Sequence, residues 1–108
     1  MSQRVSKVNE LIQQEVSTYI QENLGRHLGI MTITIVETTP DLKHAKIWFG
    51  YIGHDLGSAI KELKSSQRSI QKYLNDKLTM KSIPRISFAL DNSGDYAQKI
   101  SKIIDESR

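Results

Sequence analysis

The sequence predicts an α+β domain in two layers, a three-stranded sheet with helices on one face. Three observations lead there. Apolar spacing alternates along the chain between helical period and period two, three segments carry the strand pattern, and three strands alone cannot enclose a core, so the helices must cover them. The 108 residues contain no repeat, low-complexity tract or linker, so residues 1–108 are expected to form one domain.

The elements follow in order. Val5, Val8, Leu11, Ile12, Val16, Tyr19, Ile20 and Leu24 recur at helical spacing, and Gly25 stands where a helix cap belongs. Met31, Ile33 and Ile35 then alternate with Thr32 and Thr34, which reads as a strand. After a turn at Pro40-Asp41, Ala45, Ile47, Phe49 and Tyr51 share one face of a second strand, so residues 30–52 are expected to form an antiparallel hairpin. Helical period returns from Asp55 to Met80 through Ile60, Leu63, Ile70, Leu74 and Leu78. Pro84 opens a third strand with Ile86, Phe88 and Leu90 on one side. A short closing helix follows, with Tyr96, Ile100, Ile103 and Ile104 aligned. The expected core is Val8, Ile12, Val16, Ile33, Ile35, Ile47, Phe49, Leu63, Ile70, Leu74, Ile86 and Phe88.

The long helical stretch has an interruption. Between Leu63 and Ile70 no residue is apolar, and at roughly 100° per residue Gln67 projects into the apolar stripe. A polar side chain there needs a partner or water, and serines favour helix starts over helix interiors. The expectation is a break between Lys64 and Arg68, against the simpler reading of an unbroken helix with a polar notch. A second helix starting near Arg68 would offer its N-terminal N–H groups to phosphate.

Charge is concentrated in the same region. Of the net +3, residues 1–60 contribute −1, residues 61–85 contribute +5 and residues 86–108 contribute −1. Lys61, Lys64, Arg68, Lys72, Lys77, Lys81 and Arg85 make the excess, and the first four fall within about 80° of one another on a helical count. Such a ridge is the footprint of nucleic acid or another acidic partner, weighed against an ordinary solvated helix face. Arg4, Lys43 and Lys46 are secondary candidates, since their part of the chain has no net positive charge.

Other chemistry is not legible. With zero cysteines the chain has no disulfide, thiolate nucleophile or zinc knuckle. His27, His44 and His54 lack the spacing of a metal site or a triad and read as loop or turn residues. No metal or cofactor is expected. Gly50-Tyr51-Ile52-Gly53 matches GxxG, but a phosphate-clamping GxxG must join two helices and this one ends a strand. No apolar run approaches the roughly 18 residues of a membrane span, and the N-terminus has no signal-peptide core. These features fit a cytoplasmic protein without a membrane partner. Trp48 lies on the opposite strand face from Phe49 and is read as a core or helix-covered residue, with base stacking the alternative.

Three stretches in order resemble the ribosome-binding factor A family. Leu28-Gly29-Ile30-Met31-Thr32-Ile33-Thr34-Ile35-Val36 is similar to the family's LG-x-VTVT strand. Thr39-Pro40-Asp41-Leu42-Lys43-His44-Ala45-Lys46-Ile47 resembles its S-x-DL-x-x-AKV turn. Ile83-Pro84-Arg85-Ile86-Ser87-Phe88-Ala89-Leu90-Asp91-Asn92-Ser93 resembles its P-x-L-x-F-x-x-D-x-S strand and exit. The resemblance implies a type II K-homology-like fold, helix–strand–strand–helix–helix–strand, with the short C-terminal helix after it. It also implies a non-catalytic bacterial factor that binds the small ribosomal subunit and its ribosomal RNA. Members assist late maturation of the RNA's 5′ region and are needed most in the cold. The family's Ala-x-Gly kink falls on Ser66, Gln67 and Arg68, with Arg68 in place of the glycine and Gln71 where members usually carry arginine. The chain is expected to act as a monomer. A general single-stranded RNA or DNA binder is the alternative reading, and a protein adaptor or small enzyme a third.

Overall fold

The computed structural model describes residues 3–24 and 29–91. Within them the order is α1 (Gln3–Asn23), β1 (Ile30–Thr38), β2 (His44–Ile52), α2 (Leu56–Lys77) and β3 (Arg85–Leu90). The sheet runs β1-β2-β3, with β1 antiparallel and β3 parallel to β2. Both helices pack on one face. Ile12, Val16, Leu63, Ile70 and Leu74 share a single buried cluster with Ile33, Ile47, Phe49 and Ile86. The expected closing helix lies outside the described residues.

The hairpin forms as expected, on a turn that the sequence specifies closely. Thr39 N–H donates to His44 C=O at 2.9 Å, and the Asp41 carboxylate accepts from Thr39 Oγ1 at 2.6 Å and from Lys43 N–H at 3.1 Å. Those hydrogen bonds hold the Asp41 carboxyl below its usual value of 3.8. Leu42 takes a left-handed backbone, φ 62°, which keeps its side chain packed against the core. Gly29 begins β1 at φ +121°. A Cβ there would meet Ile52 C=O at 2.6 Å and the Tyr51 ring at 2.8 Å, so only glycine fits.

Ile35 departs from the expected core. The register runs Ile33↔Phe49 and then Ile35↔Trp48, so one extra residue, Thr34, bulges from β1. A single inserted residue inverts the alternation that follows it. Ile35 therefore lies on the helix-free face, 52% exposed, while Val36 and Thr38 turn inward. Buried Thr38 donates its hydroxyl to Asn9 of α1 at 2.5 Å. Phe88 is partly buried, and with Ile60 and Leu90 it lines a recess of about 250 Å³ between α2 and β3.

The break between Lys64 and Arg68 does not occur: α2 is continuous from Leu56 to Lys77, one helix where two were expected. The polar residues in its apolar stripe have found partners on the open edge of β3. Gln67 Nε2 donates to Ile86 C=O at 2.8 Å. One turn later the Gln71 amide accepts from Ile86 N–H at 2.9 Å and donates to Pro84 C=O at 3.0 Å. Ser65 Oγ meets its own helix, donating to Glu62 C=O at 3.0 Å. With these groups satisfied and Arg68 rather than glycine in the turn, nothing forces the backbone to part.

Candidate nucleic-acid interface

Two glutamines clamp α2 against β3, and the cleft above the clamp is the candidate site. It is a groove of about 910 Å³ lined by Lys64, Gln67, Arg68, Gln71 and Asn75 from α2 and by Arg85 from β3. Gln71 Nε2 also lies 3.3 Å from Asn75 Oδ1, so amide groups run along the floor. Lys64 and Arg68 stand one turn apart on one wall, and no carboxylate is among the lining residues. Arg85 enters from the opposite wall because its backbone N–H is tied to Lys43 C=O at 2.9 Å, which fixes where β3 begins. One ammonium and two guanidiniums over a floor of amide donors and acceptors suit an oxyanion polymer.

The unbroken helix improves one expectation and removes another. Lys61, Lys64, Arg68 and Lys72 remain in one exposed row, rising about 16 Å along a single axis. The helix start near Arg68 is absent, and with it the expected phosphate site on N–H groups there. The start of α2 is at Leu56, where the Asp55 carboxylate already accepts from Ser58 N–H at 3.0 Å and Ser58 Oγ at 2.7 Å.

The remaining candidates scatter. Lys61 and Lys72 are exposed on the ridge outside the groove lining, and Lys81 is exposed in the link before β3. Lys77 turns toward α1, its Nζ 5.6 Å from the Tyr73 ring. Tyr73 stacks edge-on with Tyr19 at 5.2 Å and donates to Glu15 at 3.1 Å, and burial with that carboxylate pushes its phenol up. Arg4 lies at the start of α1 and Lys43 in the hairpin turn, both exposed and away from the groove. Lys46 sits on the helix-free face, 4.7 Å over the Trp48 ring. Trp48 itself is neither core nor helix-covered: it is half-buried on that face, its Nε1 donating to Glu37 at 2.7 Å. Of the kink residues, Ser66 is half-buried, Gln67 forms the floor and Arg68 the wall. Gln71 and Asn75, which share the groove floor, are not among the predicted site residues, although Gln67, Gln71 and Asn75 recur every fourth residue, a polar row legible in the sequence.

Among the described residues no group of His, Cys, Asp and Glu could hold a metal ion, and no helix is long and apolar enough to cross a membrane. Fold and groove together define a class, a small α+β binding module with a cationic cleft along one sheet edge. A family model described as Ribosome-binding factor A matches residues 4–104. Ribosome-binding factor A of Akkermansia muciniphila is 34% identical over 107 residues, covering 98% of this chain and 86% of that protein. The Citrifermentans bemidjiense factor is 35% identical, covering 98% of this chain and 92% of its own. The chain belongs to the ribosome-binding factor A family. Its fold is similar to the crystal structure of the Thermus thermophilus factor, with TM-score 0.71 and 17% identity over 82% of this chain and 98% of that one. It is similar also to the solution structure of a Thermotoga maritima protein titled a putative ribosome binding factor A, with TM-score 0.72 and 17% identity, covering 88% and 93%. A further match, at TM-score 0.67 and 17% identity over 77% of this chain and 90% of that one, is the Thermus factor as fitted into a cryo-electron microscopy map of its complex with the 30S subunit.

Proposed function

We propose that this chain is a non-catalytic factor that binds the small ribosomal subunit and assists late maturation of its RNA in the bacterial cytoplasm. The α2–β3 groove is its RNA-facing surface. The observation that carries the reading is the convergence of Lys64, Arg68 and Arg85 on one groove, with Lys61 and Lys72 extending the row. The fold is a type II K-homology arrangement whose second and third helices have become one. Its lost kink is replaced by a rigid wall that presents charge to phosphates. Family membership and the 30S complex of the Thermus relative support the partner. Shape and phosphate contacts, not base readout, supply affinity in this reading, as five ridge and groove cations without a GxxG clamp allow.

The test is cosedimentation with small subunits across a salt series. Lys64→Glu, Arg68→Glu and Lys72→Glu together are expected to abolish binding while leaving the fold intact, because all three are exposed. Each lost phosphate contact should lower the log–log salt slope by about 0.7–0.9. Reversal of Lys99 and Lys102 serves as the matched control. Equal loss from both sets would reduce the effect to general charge attraction, and parental binding by the triple variant would remove the groove from the interface. Binding to free oligonucleotides alone would favour the general single-strand binder.

A further inference from the structure

The face of the sheet away from the helices is apolar where a solvated surface would be polar. Ile30, Ile35 and Ile52 are 63%, 52% and 51% exposed, and all three lie there beside half-buried Trp48. The register of β1 on β2 sets this face out as four rungs: Ile30↔Ile52, Thr32↔Gly50, Ile35↔Trp48 and Glu37↔Lys46. A grouped apolar patch with charge at one end marks a docking surface.

We propose that this face docks on the same face of a second copy, around a two-fold axis running along the strands between β1 and β2. Such an axis lays β1 of one copy over β2 of the other and keeps every residue at its own level. Each rung then meets itself reversed. Glu37 of either copy faces Lys46 of the other, Ile35 covers Trp48, and Ile30 covers Ile52. Thr32 stands over Gly50, which has no side chain to oppose it. An isologous interface needs a match between the two sides of its axis, and all four rungs have one. The bulge creates that match. Without the extra residue Thr34 would oppose Trp48 and Val36 would oppose Lys46, so an apolar rung and the charged rung would both be lost. The geometry is that of stacked sheets, about 10 Å apart with strands crossed by about 30°. Over a face about 20 Å long that angle moves the end rungs by about one strand spacing, which the long Glu37 and Lys46 side chains span. RNA suits the face less well. Lys46 Nζ already sits 4.7 Å over the Trp48 ring, Glu37 takes the indole N–H, and the isoleucines offer phosphate nothing. The α2–β3 groove lies at the other edge of the sheet, so both copies keep it open. Two strands over four rungs make an interface at the small end for specific pairs, and the dissociation constant is expected on the order of 10–100 μM.

Sedimentation velocity of the full chain, from about one-tenth to about ten times that constant, should show monomer passing to dimer. Trp48, the chain's one tryptophan, should shift to the blue and lose acrylamide quenching over the same range. Ile35→Glu, at a site already exposed, should hold the chain monomeric. The charged rung supplies the sharper arm. Glu37→Lys and Lys46→Glu should each fail to self-associate, and their equimolar mixture should dimerise, because each variant then meets opposite charge at both contacts. Recovery in the mixture also shows that both variants are folded. Glu10→Lys and Lys7→Glu, exposed on α1, change net charge by the same amounts and should each dimerise as the parent does. A parent that stays monomeric throughout would overturn the proposal. So would a dimer that Ile35→Glu leaves intact, or a mixture that recovers nothing. Loss of subunit binding by Ile35→Glu, with sedimentation of the free chain unchanged, would assign the face to the subunit and overturn it as well.

Discussion

The two edges of the sheet meet the same problem with different results. An edge strand presents unpaired N–H and C=O groups, which must be covered or kept in water. At the β1 edge, α1 supplies one cover, Gln13 Nε2 to Ile33 C=O at 3.3 Å, and the strand beside it bulges. At the β3 edge, α2 supplies Gln67 and Gln71 with three shorter bonds to Pro84 and Ile86. Glutamine is the solution at both, since its amide can imitate a neighbouring strand. What differs is the surroundings. Beside β1 lie exposed isoleucines, and beside β3 lie Lys64, Arg68 and Arg85. The tightly clamped edge is thus the one that can hold a charged groove at fixed width, because cations placed on a loose wall would lose their spacing.

The largest expected effects lie beneath both edges and should not distinguish them. Ile33 under β1 and Leu74 under the groove are buried in the same cluster. Truncating either to alanine should cost about 2–5 kcal/mol in denaturant unfolding. A cost confined to one of them would mean that the two halves do not share one core.

The clamps themselves should differ. Gln71→Leu strands Ile86 N–H and Pro84 C=O together, for an expected loss of about 1–3 kcal/mol. Faster amide exchange at Ile86 should accompany it. Gln13→Leu removes one long bond to an edge carbonyl and should cost about 0.5–1 kcal/mol. Equal costs would erase the contrast between the edges. In subunit binding the contrast should sharpen, with Gln71→Leu weakening affinity through the groove and Gln13→Leu leaving it unchanged.

The sequence carried most of this architecture in its periodicities, since α1, both hairpin strands, α2 and β3 each place residues marked by their spacing in the buried cluster. It misled where one residue changes the count. Ile35 sits in an unbroken alternation with Ile33, and nothing local announces that Thr34 bulges; the bulge is settled by pairing with β2. Gln67 posed the converse problem. Its position in the apolar stripe was plain, but a partner nineteen residues later in the chain is invisible to a local reading, so the polar notch looked like a break. Charge located the groove's Lys64, Arg68 and Arg85, yet it could not separate them from Lys77, which lies over the Tyr73 ring one turn earlier on α2, away from the groove lining.

The smallest effect concerns how α2 is held at its start, and it carries a pH signature. The Asp55 carboxyl is held below its usual 3.8 by the Ser58 hydroxyl and the Ser58 N–H. A carboxyl with a depressed folded value contributes stability that is fully present above the unfolded value and is lost as pH falls through the folded one. The contribution should therefore fade only below about pH 4. Asp55→Asn keeps a cap but removes the titration, so the gap in melting temperature between parent and variant should close as pH falls through that range. Asp41 titrates in the same window from the hairpin turn, and subtracting the two curves cancels it because both proteins carry it. Tyr51 Oη still accepts from Asp55 N–H at 3.0 Å in either protein, so the helix start should loosen rather than detach. A gap independent of pH would show that the cap acts through hydrogen bonding alone, and that charge contributes nothing at this end of the groove's supporting helix.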